Sequence, residues 1–154
     1  MLVIVMRHGE AQGFSSLGGD RNRELTYNGV KQAQQAGKIL AEQAKIQVKE
    51  VLASDYLRAY QTGAEVAKIH QAKFNPFRAL SISHEDLDEV AVKLETLAQE
   101  YQGNQAVVLV SHIPIVYDLV ALVAGTPSSF PFHTGNFVVI DYETKKIIGN
   151  SNSY

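Results

Sequence analysis

The chain has 154 residues, 45% of them hydrophobic, a formal net charge of -2 and no cysteine. That length is expected to form a single domain spanning 1–154, with enough apolar content to bury a core unaided by disulfides. A near-neutral charge with no Lys/Arg cluster argues against non-specific nucleic-acid binding as the main function. The missing thiols exclude disulfide and cysteine chemistry and fit a reducing cytoplasm. No apolar stretch reads as a membrane span or a secretory leader.

Leu2-Val3-Ile4-Val5-Met6 is a short apolar run that predicts a buried strand, with Arg7 and His8 at its carboxyl end and Gly9-Glu10 behind them. Residues 11–22, rich in Gly, Ser and Asp, read as a loop. Thr26 is placed to cap a helix running to about Ala44, with Val30, Ala33, Gly37, Leu40, Ala41 and Ala44 on one face. Val51-Leu52-Ala53-Ser54 predicts a second strand, and Asp55 a cap for a helix from Tyr56 to about His70. A short third strand is expected near Pro76. From His84 to Tyr101 an amphipathic stripe of Leu87, Val90, Ala91, Leu94, Leu97, Ala98 and Tyr101 predicts a helix with acids in its first turn, which suits the helix dipole. Ala106-Val107-Val108-Leu109-Val110 predicts another buried strand, ended by Ser111-His112. Pro114 then opens a helix, from Ile115 to Ala124, that is apolar nearly all round. Two closing strands are expected, from Phe137 to Tyr142 and from Lys146 to Gly149. Strands alternating with helices imply a mostly parallel sheet covered on both faces.

Ligands bind at the carboxyl ends of strands in such sheets. Arg7, His8, Arg58 and His112 all fall at or just beyond predicted strand ends, so they can meet at one rim. Two guanidinium and two imidazole groups around one point make a pocket for a tetrahedral anion; guanidinium forks onto phosphate oxygens, and imidazole can attack phosphorus. Each residue also has a plainer role open to it. Arg7 could sit on the surface, His8 could be a satisfied buried histidine, His112 could cap a helix, and Arg58 could pair with Asp55 or Asp118. His70, at a helix end, suits the dipole as a cation, and His84 is expected to be exposed. His133 precedes Thr134 and Gly135 in a loop that can approach the rim, and itself reads first as an ordinary loop histidine. Zinc-binding and nucleotide-binding signatures are both missing.

Four motifs then stand in order: Met6-Arg7-His8-Gly9-Glu10, Leu25-Thr26-Tyr27-Asn28-Gly29, Ser54-Asp55-Tyr56-Leu57-Arg58-Ala59-Tyr60-Gln61-Thr62 and Val110-Ser111-His112-Ile113-Pro114. Together they resemble the histidine phosphatase (phosphoglycerate-mutase-like) superfamily. The short chain, with little room for a lid between Pro76 and Ala106, is most similar to the SixA-type phosphohistidine phosphatases. The resemblance implies a compact three-layer α/β/α sandwich without a large lid, its sheet mostly parallel with one antiparallel strand. It implies that His8 is the nucleophile and becomes phosphorylated, that Arg7, Arg58 and His112 grip the phosphoryl oxygens, and that no metal or organic cofactor is needed. Gly9, Thr134 and Gly135 are the further expected substrate contacts. Two departures stand out. Asp55 occupies the place of a usual proline, and the segment 77–86 has no early carboxylate to serve as general acid, leaving Glu85, Asp86 or Glu10.

For such chemistry His8 must be neutral, its second ring nitrogen donating to a backbone carbonyl. Without an acid the site favours phosphohistidine, whose imidazole is a good leaving group, over alkyl esters. An uncovered pocket favours a phosphorylated protein, such as a histidine phosphotransfer domain. The alternatives are a small-molecule phosphomonoesterase or mutase, and a phosphoprotein-binding module.

Overall fold

The opening apolar run forms β1 (Leu2–Arg7), and Leu2 to Met6 are all buried. Alternation sends Val3 and Val5 into one core cluster and Leu2, Ile4 and Met6 into another, so the strand has no solvent face. The computed structural model, which describes residues 1–154, builds a three-layer sandwich around it. The elements are α1 (Tyr27–Lys38), β2 (Gln47–Ala53), α2 (Leu57–His70), β3 (Lys73–Pro76), α3 (Leu87–Ala98), β4 (Gln105–Ser111), α4 (Ile115–Ala124), β5 (Phe137–Asp141) and β6 (Ile147–Asn150). The sheet order is β3-β2-β4-β1-β5-β6. Strands β1 to β4 are mutually parallel, and β5 pairs antiparallel with both β1 and β6, so β5 is the one strand that runs against the rest.

Helices α3 and α4 cover the Val3 face, with Val90, Leu94, Leu97, Val116, Leu119 and Val120 in the shared core. Helices α1 and α2 cover the other face through Ala36, Ala59 and Val66. Burying each Val or Leu contributes roughly 1.5–3 kcal/mol. Between β3 and α3 the chain forms only the 3-10 turn Arg78–Leu80, so no lid stands over the sheet. No helix is long and apolar enough to cross a membrane.

Several local expectations shift. The α-helical turns of α1 end at Lys38, and a π turn carries the chain through Ile39–Gln43. The wider turn rotates the tail, and Ala41, expected on the buried face, is exposed. Asp55 does not cap α2; Tyr56 occupies the N-cap without a side-chain bond. The Asp55 carboxylate instead accepts from Ser81 Oγ at 2.7 Å and pairs with Arg21 at 2.6 Å. Helix α3 begins at Leu87 because the Asp86 side chain accepts from the Glu89 amide at 3.0 Å. It also stops short of Tyr101, whose hydroxyl donates to the buried carboxylate of Glu50 at 2.9 Å. His70 is held by the Gly37 carbonyl on α1, 2.9 Å from Nε2, and burial lowers its pKa, so it does not serve its own helix end as a cation.

Candidate active site

The sheet register assembles the site. Arg7 lies opposite Ser111 across β1 and β4, and Ala53 opposite Val110 across β2 and β4. The residues that follow Arg7 and Ser111, His8 and His112, therefore leave the sheet in one row, and Ser54, which follows Ala53, stands one step back, level with Ser111. Backbone bonds continue the ladder one step further: the His8 amide donates to the Ser111 carbonyl at 3.1 Å, and the Ser54 amide to the Val110 carbonyl at 3.0 Å. The imidazole centroids of His8 and His112 are 5.2 Å apart. Arg58, in the first turn of α2, brings its guanidinium to the same row, with Nε 3.4 Å from His8 Nε2. All three side chains are buried.

They line a cavity of about 340 Å³ together with Arg7, Glu10, Ala11, Arg23, Ile82, Ile113 and Thr134. The four expected catalytic residues thus converge, and Thr134 joins them. Gly9 and Gly135 do not line the cavity. The Gly9 amide donates to Thr62 Oγ1 at 2.9 Å, and the Gly135 amide is shared by the Arg7 and His8 carbonyls at 3.2 and 3.0 Å. Gly9 is needed for close approach, since a Cβ there would stand 2.5 Å from the Gly29 carbonyl oxygen at the start of α1. His133 faces a neighbouring polar groove of about 500 Å³ that meets the pocket at Thr134.

The hydrogen bonds orient each group. His8 Nδ1 is 2.7 Å from the Gly9 carbonyl oxygen, which can only accept, so Nδ1 holds the proton and Nε2 the lone pair. Arg7 Nη1 donates to the Phe132 carbonyl at 3.0 Å, while its Nε is buried without a partner. His112 Nε2 lies 2.8 Å from Ser54 Oγ, and its Nδ1 is likewise buried and unpartnered. An unpaired buried polar atom costs roughly 1–3 kcal/mol, and two of them in one cationic pocket are what a site shaped for an oxyanion would hold.

Electrostatics keep both imidazoles neutral. Burial, reinforced by Arg58 and Arg7 and opposed by the Gly9 carbonyl, lowers the His8 pKa to about 4. Burial, His8 and Arg58 lower that of His112 to about 3. His112 is therefore neutral here, so it does not grip an anion as a cation. Neutral imidazole at His8 is the form that can attack.

The acid candidates are spoken for. Glu10 accepts from Thr26 Oγ1 at 2.7 Å and from Asn28 Nδ2 at 3.4 Å, which ties the strand end to α1. Glu85 and Asp86 are exposed and lie outside the cavity lining. Asp55, the substitute for proline, spends its charge on Arg21 and Ser81: burial alone would raise its pKa, and these two partners outweigh it and hold the carboxyl low.

Sequence reasoning missed Arg23, Asp20, Ser54 and Tyr56. Arg58 pairs with neither Asp55 nor Asp118; it donates to the Asp20 carbonyl at 2.9 Å and to its carboxylate at 3.2 Å. Asp20 also accepts from Arg23 Nε at 2.8 Å, so one carboxylate steers two pocket cations. Tyr56 stacks edge-on against His112, with Arg21 and Arg58 over its ring. The loop 11–22 and Arg23 just behind it have no periodicity to mark Asp20 or Arg23, although the loop holds the 3-10 turn Asp20–Asn22 and a bridge from Ala11 to Leu25.

The sequence model of the Histidine phosphatase superfamily (branch 1) matches residues 3–92. A phosphohistidine phosphatase SixA homolog of Haemophilus influenzae is 29% identical over 154 residues, covering 95% of this chain and 91% of that one. Phosphohistidine phosphatase SixA of Escherichia coli is 33% identical over 126 residues, covering 79% and 73%. A solved structure of the protein histidine phosphatase SixA complexed with tungstate superposes with a TM-score of 0.80 at 28% identity, covering 97% of this chain and 96% of that one.

Proposed function

This chain belongs to the histidine phosphatase superfamily as a SixA-like phosphatase, and from that premise we propose that it removes the phosphoryl group from phosphohistidine in a protein through a phospho-His8 intermediate. The observation that carries the reading is the His8 ring, with Nδ1 held on the Gly9 carbonyl at 2.7 Å and its Nε2 lone pair beside Arg58 and His112. In the first step His8 Nε2 forms a bond to phosphorus and the bond to the substrate imidazole breaks. Arg7, Arg58 and His112 meet the charge on the three phosphoryl oxygens. A substrate ring protonated on its other nitrogen leaves as neutral imidazole and needs no acid. In the second step a water oxygen attacks phosphorus, the His8 bond breaks, and both water protons leave with inorganic phosphate.

Two features support a phosphorylated protein as substrate. No carboxylate in the pocket is free to protonate an alkoxide, and general acid catalysis contributes typically about 10²–10⁴-fold for such leaving groups. No lid closes over the cavity, so a side chain on a folded surface can enter it. The tungstate in the SixA structure, a tetrahedral oxyanion, supports the anion assignment. A cysteine-free chain suits the reducing cytoplasm, where we place the reaction, and a histidine phosphotransfer domain is the partner we infer.

The test is a radiolabelled phosphohistidine protein beside a panel of sugar phosphates. Label is expected on His8, with the protein turned over faster than any phosphomonoester, and His8→Ala should abolish both labelling and turnover. Full activity in His8→Ala, or a preference for a sugar phosphate, would overturn the reading.

A further inference from the structure

The two pocket imidazoles have their tautomers set by oxygens of opposite kind. At His8 the oxygen is a carbonyl, which forces the proton onto Nδ1. At His112 it is the hydroxyl of Ser54, a fully buried residue, 2.8 Å from Nε2. That hydroxyl also accepts the Tyr56 amide proton at 3.2 Å. His112 Nε2 is the one acceptor within hydrogen-bond reach of its own proton.

We propose that Ser54 is a positioning residue for phosphoryl transfer: by donating to His112 Nε2 it forces the ring proton onto Nδ1 and makes that nitrogen a donor to a phosphoryl oxygen. The proposal rests on the phosphatase reading above and adds the group that prepares His112 for it. The unpartnered Nδ1 belongs to a ring that lines the cavity. In the other tautomer Nδ1 would present a lone pair to an oxygen lone pair, and the contact would repel. Because burial keeps the ring neutral, the choice of tautomer decides between donor and acceptor. The pocket thereby holds one imidazole ready to give an electron pair and one ready to give a hydrogen bond, both uncharged.

Ser54 could instead act only through its bond to the Tyr56 amide, pinning the start of α2 and so Arg58. A double-mutant cycle separates the two. With the phosphohistidine protein as substrate, Ser54→Ala should lower kcat/KM by at least about 10-fold, the loss expected for one charge-assisted bond. In a His112→Ala background the same change should cost less than about 2-fold. Ring-nitrogen NMR of the wild-type protein should find His112 protonated at Nδ1, and Ser54→Ala should mix the tautomers. If Ser54→Ala does not fold, Ser54→Cys, with its weak S–H donor, takes its place, and the wild-type spectrum decides by itself. Protonation at Nε2 in the wild type, or equal losses in the two backgrounds, would overturn the proposal. If the phosphohistidine protein is not turned over at all, the phosphatase reading fails, while the NMR result still tests the Ser54 contact.

Discussion

Acidification from about pH 7 to about pH 5 should weaken this fold through its two pocket histidines. Folded His8 titrates at about 4 and His112 at about 3, against 6.5 for the exposed side chain. At about pH 5 the unfolded chain carries a proton on nearly every such histidine, while the folded chain carries almost none on these two. Each is then expected to lower stability by roughly 2 kcal/mol relative to pH 7, and the pair by roughly 4 kcal/mol. Stability rises with pH across this window because the unfolded state binds more protons, and the slope fades below about pH 4, where folded His8 takes up its own. His70, also lowered by burial, adds in the same direction. Asp20 and Asp55 are held below 3.8, so the stability they contribute persists at pH 5 and is lost only further down. A loss of about 4 kcal/mol is a large share of the roughly 5–15 kcal/mol by which domains are stable. Urea unfolding at the two pH values, at constant ionic strength, measures it directly. The double variant His8→Asn/His112→Asn should lose most of the dependence. A wild-type change below about 1 kcal/mol, with both ring resonances titrating near 6.5, would refute the burial argument.

Arg58→Ala should reduce kcat by about 10²–10³, as for loss of one preorganised oxyanion donor; a change under about 2-fold would place its guanidinium outside the reaction. Glu10→Gln should leave turnover of the phosphohistidine protein within about 3-fold, because its carboxylate binds Thr26 rather than a leaving group; a loss of about 100-fold would identify it as the acid. Gly9→Ala should destabilise by about 1–3 kcal/mol in urea titration, since its Cβ would press on the Gly29 carbonyl oxygen and push α1 away from the strand end. An unchanged unfolding midpoint would show that α1 can retreat freely.

Much of the fold was legible because its signals are local. The apolar runs of β1 and β4 are continuous, as a strand buried on both faces requires, and the α3 stripe keeps helical spacing from Leu87 to Leu97. Thr26 caps α1 as its sequence pattern asks, accepting from the Gly29 amide at 2.9 Å. Asp55 shows where local reasoning stops. Its side chain had a helix to cap nearby, but Ser81 and Arg21, 26 and 34 residues away by number, offered a stronger pair of partners. The π turn after Lys38 left no mark that composition could carry.

The chain's own order of residues determined that Arg7, His8 and His112 stand at strand ends and Arg58 just beyond one, because strand length and the breaks that follow are written in contiguous sequence. It could not set the register that places Arg7 opposite Ser111, nor bring Asp20 out of a patternless loop onto Arg58, nor decide which nitrogen of His112 faces Ser54. Those choices depend on partners distant along the chain that meet only when the sheet closes. A tautomer or a lowered pKa follows from the burial and neighbours the finished fold supplies.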